Sequence, residues 1–214
     1  DQTSEPQPGK IVQREVTHIV SPGTVSDLQM LDSSRNNFLA AIHPDPKQGY
    51  GFAFIDLSTG EFRITQISNL RELSDELARV QPSEILISES ARAEFESLKG
   101  AVCKDDYAFL HDQAYHTLRE QFGVQSLQGF GCEDLPLGVC AAGAIVHYLR
   151  HELRRTLNHV SKLSTYNRSQ YMLVDSTTQA NLELVESRGG ARNTSLLAAL
   201  DRTATPMGAR RLRE

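Results

Sequence analysis

Residues 50–67 read YGFAFIDLSTGEFRITQI, two β-type runs around a tight turn. Over Phe52–Leu57 apolar side chains fall on both faces of an extended chain, so this run is predicted to be a central strand. Ser58-Thr59-Gly60 has the length and the glycine of a hairpin loop. In Glu61–Ile67 beyond it, Phe62 and Ile64 alternate with Glu61, Arg63 and Thr65, which predicts one buried and one wet face. Upstream, Phe38–Ile42 is a third run, connected through HPDPKQG at 43–49. The three together predict an antiparallel meander. A further strand is predicted over Val12–Val20, where Val16, Thr17, Ile19 and Val20 are β-branched and Pro22-Gly23 ends the run. Residues 1–10, beginning DQTSEPQPG, are polar and contain two prolines and a glycine; they read as a linker.

Downstream of the meander the hydrophobic period changes. Asn69 with Glu72 three residues on makes a capping-box-like start, and Leu70, Leu73, Leu77 and Val80 share a helical face until Pro82 forces the exit. Ile85-Leu86-Ile87 is short, apolar and flanked by polar residues. That predicts a buried strand parallel to its neighbour after a crossover helix. A second helix is predicted after Ser90, burying Ala91, Phe95 and Leu98 and closing at Gly100; a third covers about Asp112–Phe122 and closes at Gly123. In the third, Ala114, Leu118 and Phe122 are spaced i, i+4, i+8 and are predicted to pack against the sheet, leaving Tyr115, His116, Arg119 and Glu120 nearer to solvent. A fourth helix follows Asp134, with Pro136 in its first turn and a stripe of Leu137, Ala141, Ala144, Ile145, Tyr148 and Leu149. Its small residues Cys140-Ala141-Ala142-Gly143-Ala144 permit close approach to the sheet. The fold class is therefore α/β, a mixed β-sheet with flanking helices. After about His159 the sheet signal fades. Tyr171–Val174 is a short extended candidate, and Thr177–Glu186, Ser195–Leu200 and the run from Pro206 read as short helices that bury little by themselves. They predict the start of an all-α segment.

Composition narrows the function. The 214 residues carry 22 Lys and Arg against 27 Asp and Glu, a net charge of −5. A surface of that sign repels phosphates on average and disfavours autonomous nucleic-acid binding. With 39% hydrophobic residues the chain can build a core, yet no apolar run approaches the ~20 residues of a membrane helix. Cys103, Cys132 and Cys140 form no CxxC pair and read as small core residues of a protein in a reducing, cytoplasmic compartment. His147 and His151 stand i, i+4 without the acid of an H-E-x-x-H motif, and His111, His116 and His159 complete no ligand set, so a solvated basic face is expected there rather than a metal. No G-x-x-x-x-G-K-[ST] loop occurs, so no nucleotide cofactor is expected in the chain itself. SRGGARNTS at 187–195 reads as a helix stop at Gly189-Gly190.

The chain begins Asp1-Gln2 and closes on TATPMGARRLRE (203–214), where Thr205 is a fair N-cap and Pro206 suits the first helical position. A helix opened but not closed gives the expectation of a middle portion of a larger protein. Five stretches carry a family resemblance: IVSPGT (19–24), GFAFIDLSTGEF (51–62), LQGFGCEDLPLGVCAAGAIVHYL (127–149), VDSTTQANLEL (174–184) and SLLAALDRTATPMGARRLRE (195–214). In this order they resemble the connector domain and the beginning of the core domain of the bacterial MutS family, the DNA mismatch-recognition ATPases. The resemblance covers nearly the whole chain. It implies a ribonuclease H-like connector over residues 11–162 and a truncated beginning of the helical core, or lever, domain over 163–214.

What the resemblance implies for function is mechanical rather than catalytic: a piece linking the mismatch reader to the core and ATPase, and a surface for the partner MutL. That surface includes the helix at 112–122, with Tyr115, His116, Arg119 and Glu120 as candidate contacts; where relatives often carry a glutamine pair this sequence has His116-Thr117. ATP, Mg²⁺ and mismatched duplex DNA are implied for the full-length parent only, since the aromatic-x-Glu reader, the P-loop and the DNA-gripping clamp of the family have no match here. Two alternatives stand beside this reading. Asp56, on a central strand before a tight turn, sits where nucleases of the ribonuclease H fold place a metal-binding carboxylate, with Glu61, Glu89, Glu133 and Asp134 as poor partners for a two-metal site. Structurally, Asp56 is expected to bond turn N–H groups. The other alternative is a generic interaction domain, separable by whether MutL binds.

Overall fold

The computed structural model describes residues 16, 19–24, 35–167, 174, 176–185, 187 and 194–213. Six strands form one mixed sheet: β1 (Phe38–Asp45), β2 (Gly49–Asp56), β3 (Glu61–Ile67), β4 (Glu84–Ser88), β5 (Ala101–Lys104) and β6 (Ser164–Thr165), in the order β5-β4-β1-β2-β3-β6. The meander is as expected, with Phe38 opposite Asp56 across β1–β2 and Tyr50 opposite Ile67 across β2–β3. β4 runs parallel to β1, β5 parallel to β4, and β6 parallel to β3. The short β5 and β6 carry no apolar run long enough to signal a strand. β6 lies within the stretch that the expected boundaries give to the helical segment.

A period of two divides the sheet into two faces. Leu39, Ala41, Ala53, Ile55, Phe62, Ile64 and Leu86 belong to one core, and Ala40, Ile42, Phe52, Phe54, Ile67, Ile85 and Ile87 to the other. The second core is covered by α1 (Leu70–Val80), whose N-cap Asn69 accepts the Glu72 N–H at 3.0 Å. Its buried positions are Leu73, Glu76 and Val80, while Leu70 stays 53% exposed. The buried stripe is thus turned by one residue from the all-leucine face, because Glu76 has partners beneath it. The same core corrects β3: Thr65 is buried rather than wet, its hydroxyl donating to the Tyr166 carbonyl at 2.9 Å.

The first core is covered by α3 (Pro136–His147), and α2 (His111–Phe122) packs on α3 rather than on the sheet. This sandwiching buries α3 all round, from Leu137 to Val146, instead of along a stripe. Two close approaches fix it. A Cβ on Gly51 of β2 would stand 1.9 Å from the Leu137 carbonyl oxygen, so the start of α3 rests on bare strand backbone. Gly143 faces α2, where a Cβ would stand 2.3 Å from that of Ala114. The small-residue run thus serves the helix–helix packing, not only the sheet. Beyond His147 the helix continues as one π turn, Tyr148–Glu152.

Other expectations change. After Ser90 there is a 3-10 turn (Glu89–Ala91) and further turns instead of a helix, although Ala91 and Phe95 are buried as expected. Of Val12–Val20, only Val16, Ile19 and Val20 are described, and none is in a strand; the rest of that segment lies outside the described residues. The Ile19 N–H donates to the Leu153 carbonyl, and Pro22–Thr24 form a 3-10 turn. The extended candidate Tyr171–Val174 and the stop at Gly189-Gly190 also fall outside, apart from Val174. The helical segment has α4 (Ser176–Asn181), shorter than expected, then α5 (Leu196–Leu200) and α6 (Pro206–Arg213). The expected cap of α6 is present: Thr205 Oγ1 accepts the Gly208 N–H at 3.1 Å.

Candidate partner-binding face and the buried carboxylates

α2 presents the four candidate residues unequally. Its inner side is fixed by Ala114, Thr117 and Leu118, all buried, and Gly123 closes it with a left-handed φ of 63°. Phe122 is half-buried and packs on Phe130, with ring centroids 4.8 Å apart. Gln121 ties the helix to the chain beyond α3, its Nε2 donating to the Leu157 and Val160 carbonyls at 2.9 and 3.0 Å. On such a rigid support His116 and Glu120 are exposed, with His116 Nδ1 3.8 Å from Glu120 Oε2.

Tyr115 and Arg119 are half-buried and work inward. Arg119 Nε donates to the Val124 carbonyl at 3.4 Å and its Nη2 to Gln125 Oε1 at 3.3 Å, so the guanidinium folds over the loop that follows the helix. The Tyr115 hydroxyl accepts the Leu127 N–H at 3.4 Å, and the ring stacks on His111 with centroids 6.0 Å apart. Only His116 and Glu120 are therefore clean surface probes. Tyr107 and Leu110, 52% and 55% exposed, extend the face past the start of α2. They precede the helix and so lie outside its periodicity, which is why helical spacing does not reveal them.

Asp56 is fully buried, and its carboxylate is occupied by donors. Oδ1 accepts the Ser58 N–H at 2.7 Å and the Ser58 hydroxyl at 2.6 Å, and Oδ2 accepts the Asn37 N–H at 3.3 Å. The turn bonds are those expected. Being at the end of β2, Asp56 stands opposite Phe38, at the amino-terminal end of β1; in open α/β sheets ligands gather beyond the carboxyl ends of the parallel strands. Glu61, its neighbour across β2–β3, is paired with Arg63 at 2.5 Å, and Glu89 with Arg92 at 2.8 Å. Among the described residues no group of three or more His, Cys, Asp and Glu side chains could hold a metal ion. A carboxylate already engaged by Ser58 and Asn37, at the wrong end of the strands, gives the nuclease alternative no support.

Two further buried carboxylates were not legible as such. Glu84, which opens β4, accepts the Tyr148 hydroxyl at 2.8 Å, the Gly23 N–H at 3.0 Å and the Ser21 hydroxyl. It thereby pins the 19–24 segment onto the sheet. Burial and the bond to Glu84 push the Tyr148 hydroxyl up to about 12. Glu76 of α1 binds Arg79 at 2.8 Å and accepts the Tyr166 hydroxyl at 2.9 Å, and the Arg79 guanidinium lies over the Phe54 and Tyr166 rings. The signal for both was a charged residue inside an apolar pattern, EILI and Leu73-x-x-Glu76-x-x-x-Val80.

The histidine pair is not simply a solvated face. The His147 and His151 rings stand 4.7 Å apart, His147 also meets the Tyr107 ring edge-on, and its Nδ1 is buried. Burial and then the neighbouring His151 hold His147 below its ordinary value. Cys132 and Cys140 are buried as expected, which pushes both thiols up to about 11, whereas Cys103 is half-buried.

The family model of MutS domain II matches residues 37–161, the stretch from the start of β1 to just before β6. The chain is 42% identical over 226 residues to the DNA mismatch repair protein MutS of Symbiobacterium thermophilum, covering 100% of this chain and 26% of that protein. It is 40% identical over 214 residues to the MutS of Salinibacter ruber, covering 96% of this chain and 24% of that protein, and 38% identical over 224 residues to that of Halothermothrix orenii, covering 100% and 25%. It thus spans about a quarter of the length of these curated relatives. No helix among the described residues is long and apolar enough to cross a membrane. The mixed sheet, the helices on its two faces and the matched residues lead to one assignment: the chain belongs to the MutS family of DNA mismatch repair proteins, with its connector, domain II, over residues 37–161.

Proposed function

We propose that this chain is a non-catalytic mechanical link. Residues 11–162 act as the connector, preceded by a linker at 1–10, and 163–214 begin the helical core. It holds the mismatch reader at a set geometry to the core and ATPase of a cytoplasmic parent, transmits nucleotide-driven motion, and offers α2 to MutL. ATP, Mg²⁺ and mismatched duplex DNA are handled by other domains of that parent. The observation that carries this reading is α2 itself, locked by buried Ala114 and Leu118 and by the Arg119 and Gln121 bonds, yet offering His116 and Glu120 outward. Rigid helices with exposed polar groups beside aromatic anchors have the make-up of protein interfaces.

Titration of MutL against the chain tests it. His116→Ala with Glu120→Ala weakens binding by about 1–3 kcal/mol while circular dichroism stays unchanged, because neither side chain supports the fold. Arg119 is left intact, since reversing its charge would open the loop it closes. Equal affinities for the two forms overturn the assignment of α2.

A further inference from the structure

The β2–β3 turn holds more than its own backbone. Arg210, on α6, is 7% exposed although most of that helix is open to solvent. Its Nη1 donates to Ser58 Oγ at 2.8 Å, and the Ser58 hydroxyl donates onward to Asp56 Oδ1 at 2.6 Å. The bond spans 152 residues of sequence. One hydroxyl thus sits between a guanidinium and a fully buried carboxylate, with its single proton directed at the anion and its oxygen facing the cation. Hydrogen bonds with an ionised partner are shorter and stronger than neutral ones, and each polarises the next.

We propose that the Asp56–Ser58 turn is a docking site for the guanidinium of Arg210, and that this relay latches the last helix of the chain to the sheet. The purpose of the latch, coupling connector to core, rests on the connector reading above; its existence does not. α6 presents Met207 and Leu212 to solvent, 77% and 39% exposed, so apolar burial by these two does not hold it. A polar latch of this kind releases and re-forms with little apolar exposure, Ala209 being the buried apolar side chain of α6, which suits a joint that must move.

A distance measurement on the 214-residue chain tests this. Spin labels are placed at Ser74→Cys on α1 and Arg213→Cys on α6, both exposed positions, with Cys103→Ser. Cys132 and Cys140 are buried with thiols near 11 and stay unlabelled. The unaltered latch gives one narrow distance distribution. Arg210→Met roughly doubles its width, as local release of a terminal element would, and Ser58→Ala does the same. The double variant is no broader than either, and Arg210→Lys, which can still donate to Ser58, recovers part of the narrowing. Thermal unfolding of the sheet stays where it was in Arg210→Met, whereas Ser58→Ala lowers it, because the buried Asp56 carboxylate loses a donor. A narrow distribution in Arg210→Met, or broadening that adds up in the double variant, overturns the latch. Because MutL takes no part, neither result depends on whether α2 binds it.

Discussion

Adding a methyl group at Gly143 tests how closely α2 sits on α3. Alanine is a better helix former than glycine by about 1 kcal/mol, so on propensity alone Gly143→Ala stabilises the chain. The packing opposes this. The new Cβ would stand 2.3 Å from the Ala114 Cβ, 2.4 Å from its Cα and 2.9 Å from its carbonyl carbon. Non-bonded carbon atoms prefer about 3.5–4.0 Å, so the two helices must part by roughly 1.5 Å. The atoms in the way are mostly backbone, and no side-chain rotation relieves them. Overpacking of this type costs about 1–3 kcal/mol and occasionally more, and the size of the overlap puts this site at the upper end. After subtracting the propensity gain, a net loss of about 1–3 kcal/mol is expected, lowering Tm by about 2–12 °C. Urea denaturation followed by circular dichroism reads it. Gly129→Ala, with nothing within 4 Å of the added carbon, is the control and stays within about 0.5 kcal/mol. Ala114→Gly in the Gly143→Ala background recovers part of the loss, because the overlap with the Ala114 methyl disappears while the clash with the backbone of α2 remains. A Gly143→Ala chain as stable as the unaltered one refutes the close approach.

Three other outcomes follow from the buried polar groups. Tyr148→Phe removes one of the donors on the buried Glu84 carboxylate and is expected to cost about 1–3 kcal/mol, with faster amide exchange at Gly23 as the local sign. Asp56→Asn is expected to cost about 1–3 kcal/mol, somewhat more than a turn bond alone, since the Asn37 N–H and the Ser58 hydroxyl both lean on the anion; it creates and abolishes no Mg²⁺- or Mn²⁺-dependent cleavage of nucleic acid, which an activity assay on both forms checks. The third concerns pH. Burial holds His43 and His147 below their ordinary value of 6.5, against Asp45 and Asp106 for His43 and against Glu152 and Asp105 for His147, with His151 adding to the depression at His147. Below 6.5 the unfolded chain therefore binds more protons at these sites than the folded one, so their contribution destabilises the fold as pH falls from 6.5 through the depressed values, and stability rises with pH across that window. Urea midpoints measured across it should rise with pH, and His43→Gln with His147→Gln should flatten the rise.

The meander was legible because its signals are local. An apolar run on both faces, a three-residue turn with glycine and an alternating partner determine β2 and β3 without reference to anything distant. The same holds for α1, whose Asn69 cap and Pro82 exit lie in sequence, and for α2, ended by Gly123. The second helix failed for the opposite reason. Ala91 and Phe95 do face the core, but the chain reaches them through turns before β5, and burial at a helical spacing does not require a helix. β5 and β6 were invisible because four and two residues carry no periodicity; they exist through partners already in place. Of the candidate face, the helix and its outward side were readable. The inward duties of Arg119 and Tyr115 were not, because their acceptors and donors lie on the following loop. Glu76, Glu84 and the Asp56–Arg210 relay illustrate the general limit. A buried charge is tolerated only where its partners converge, and those partners come from 2 to 152 residues away.

Amide hydrogen exchange across the whole chain, with and without saturating MutL, tests the central claim most directly, since it presupposes no particular binding residue. The connector reading predicts slowed exchange concentrated in peptides covering His111–Phe122 and the loop at 123–127, with β4, already buried, unchanged. Protection confined to other surfaces while α2 exchanges as before, or no protection anywhere at saturating MutL, would contradict it.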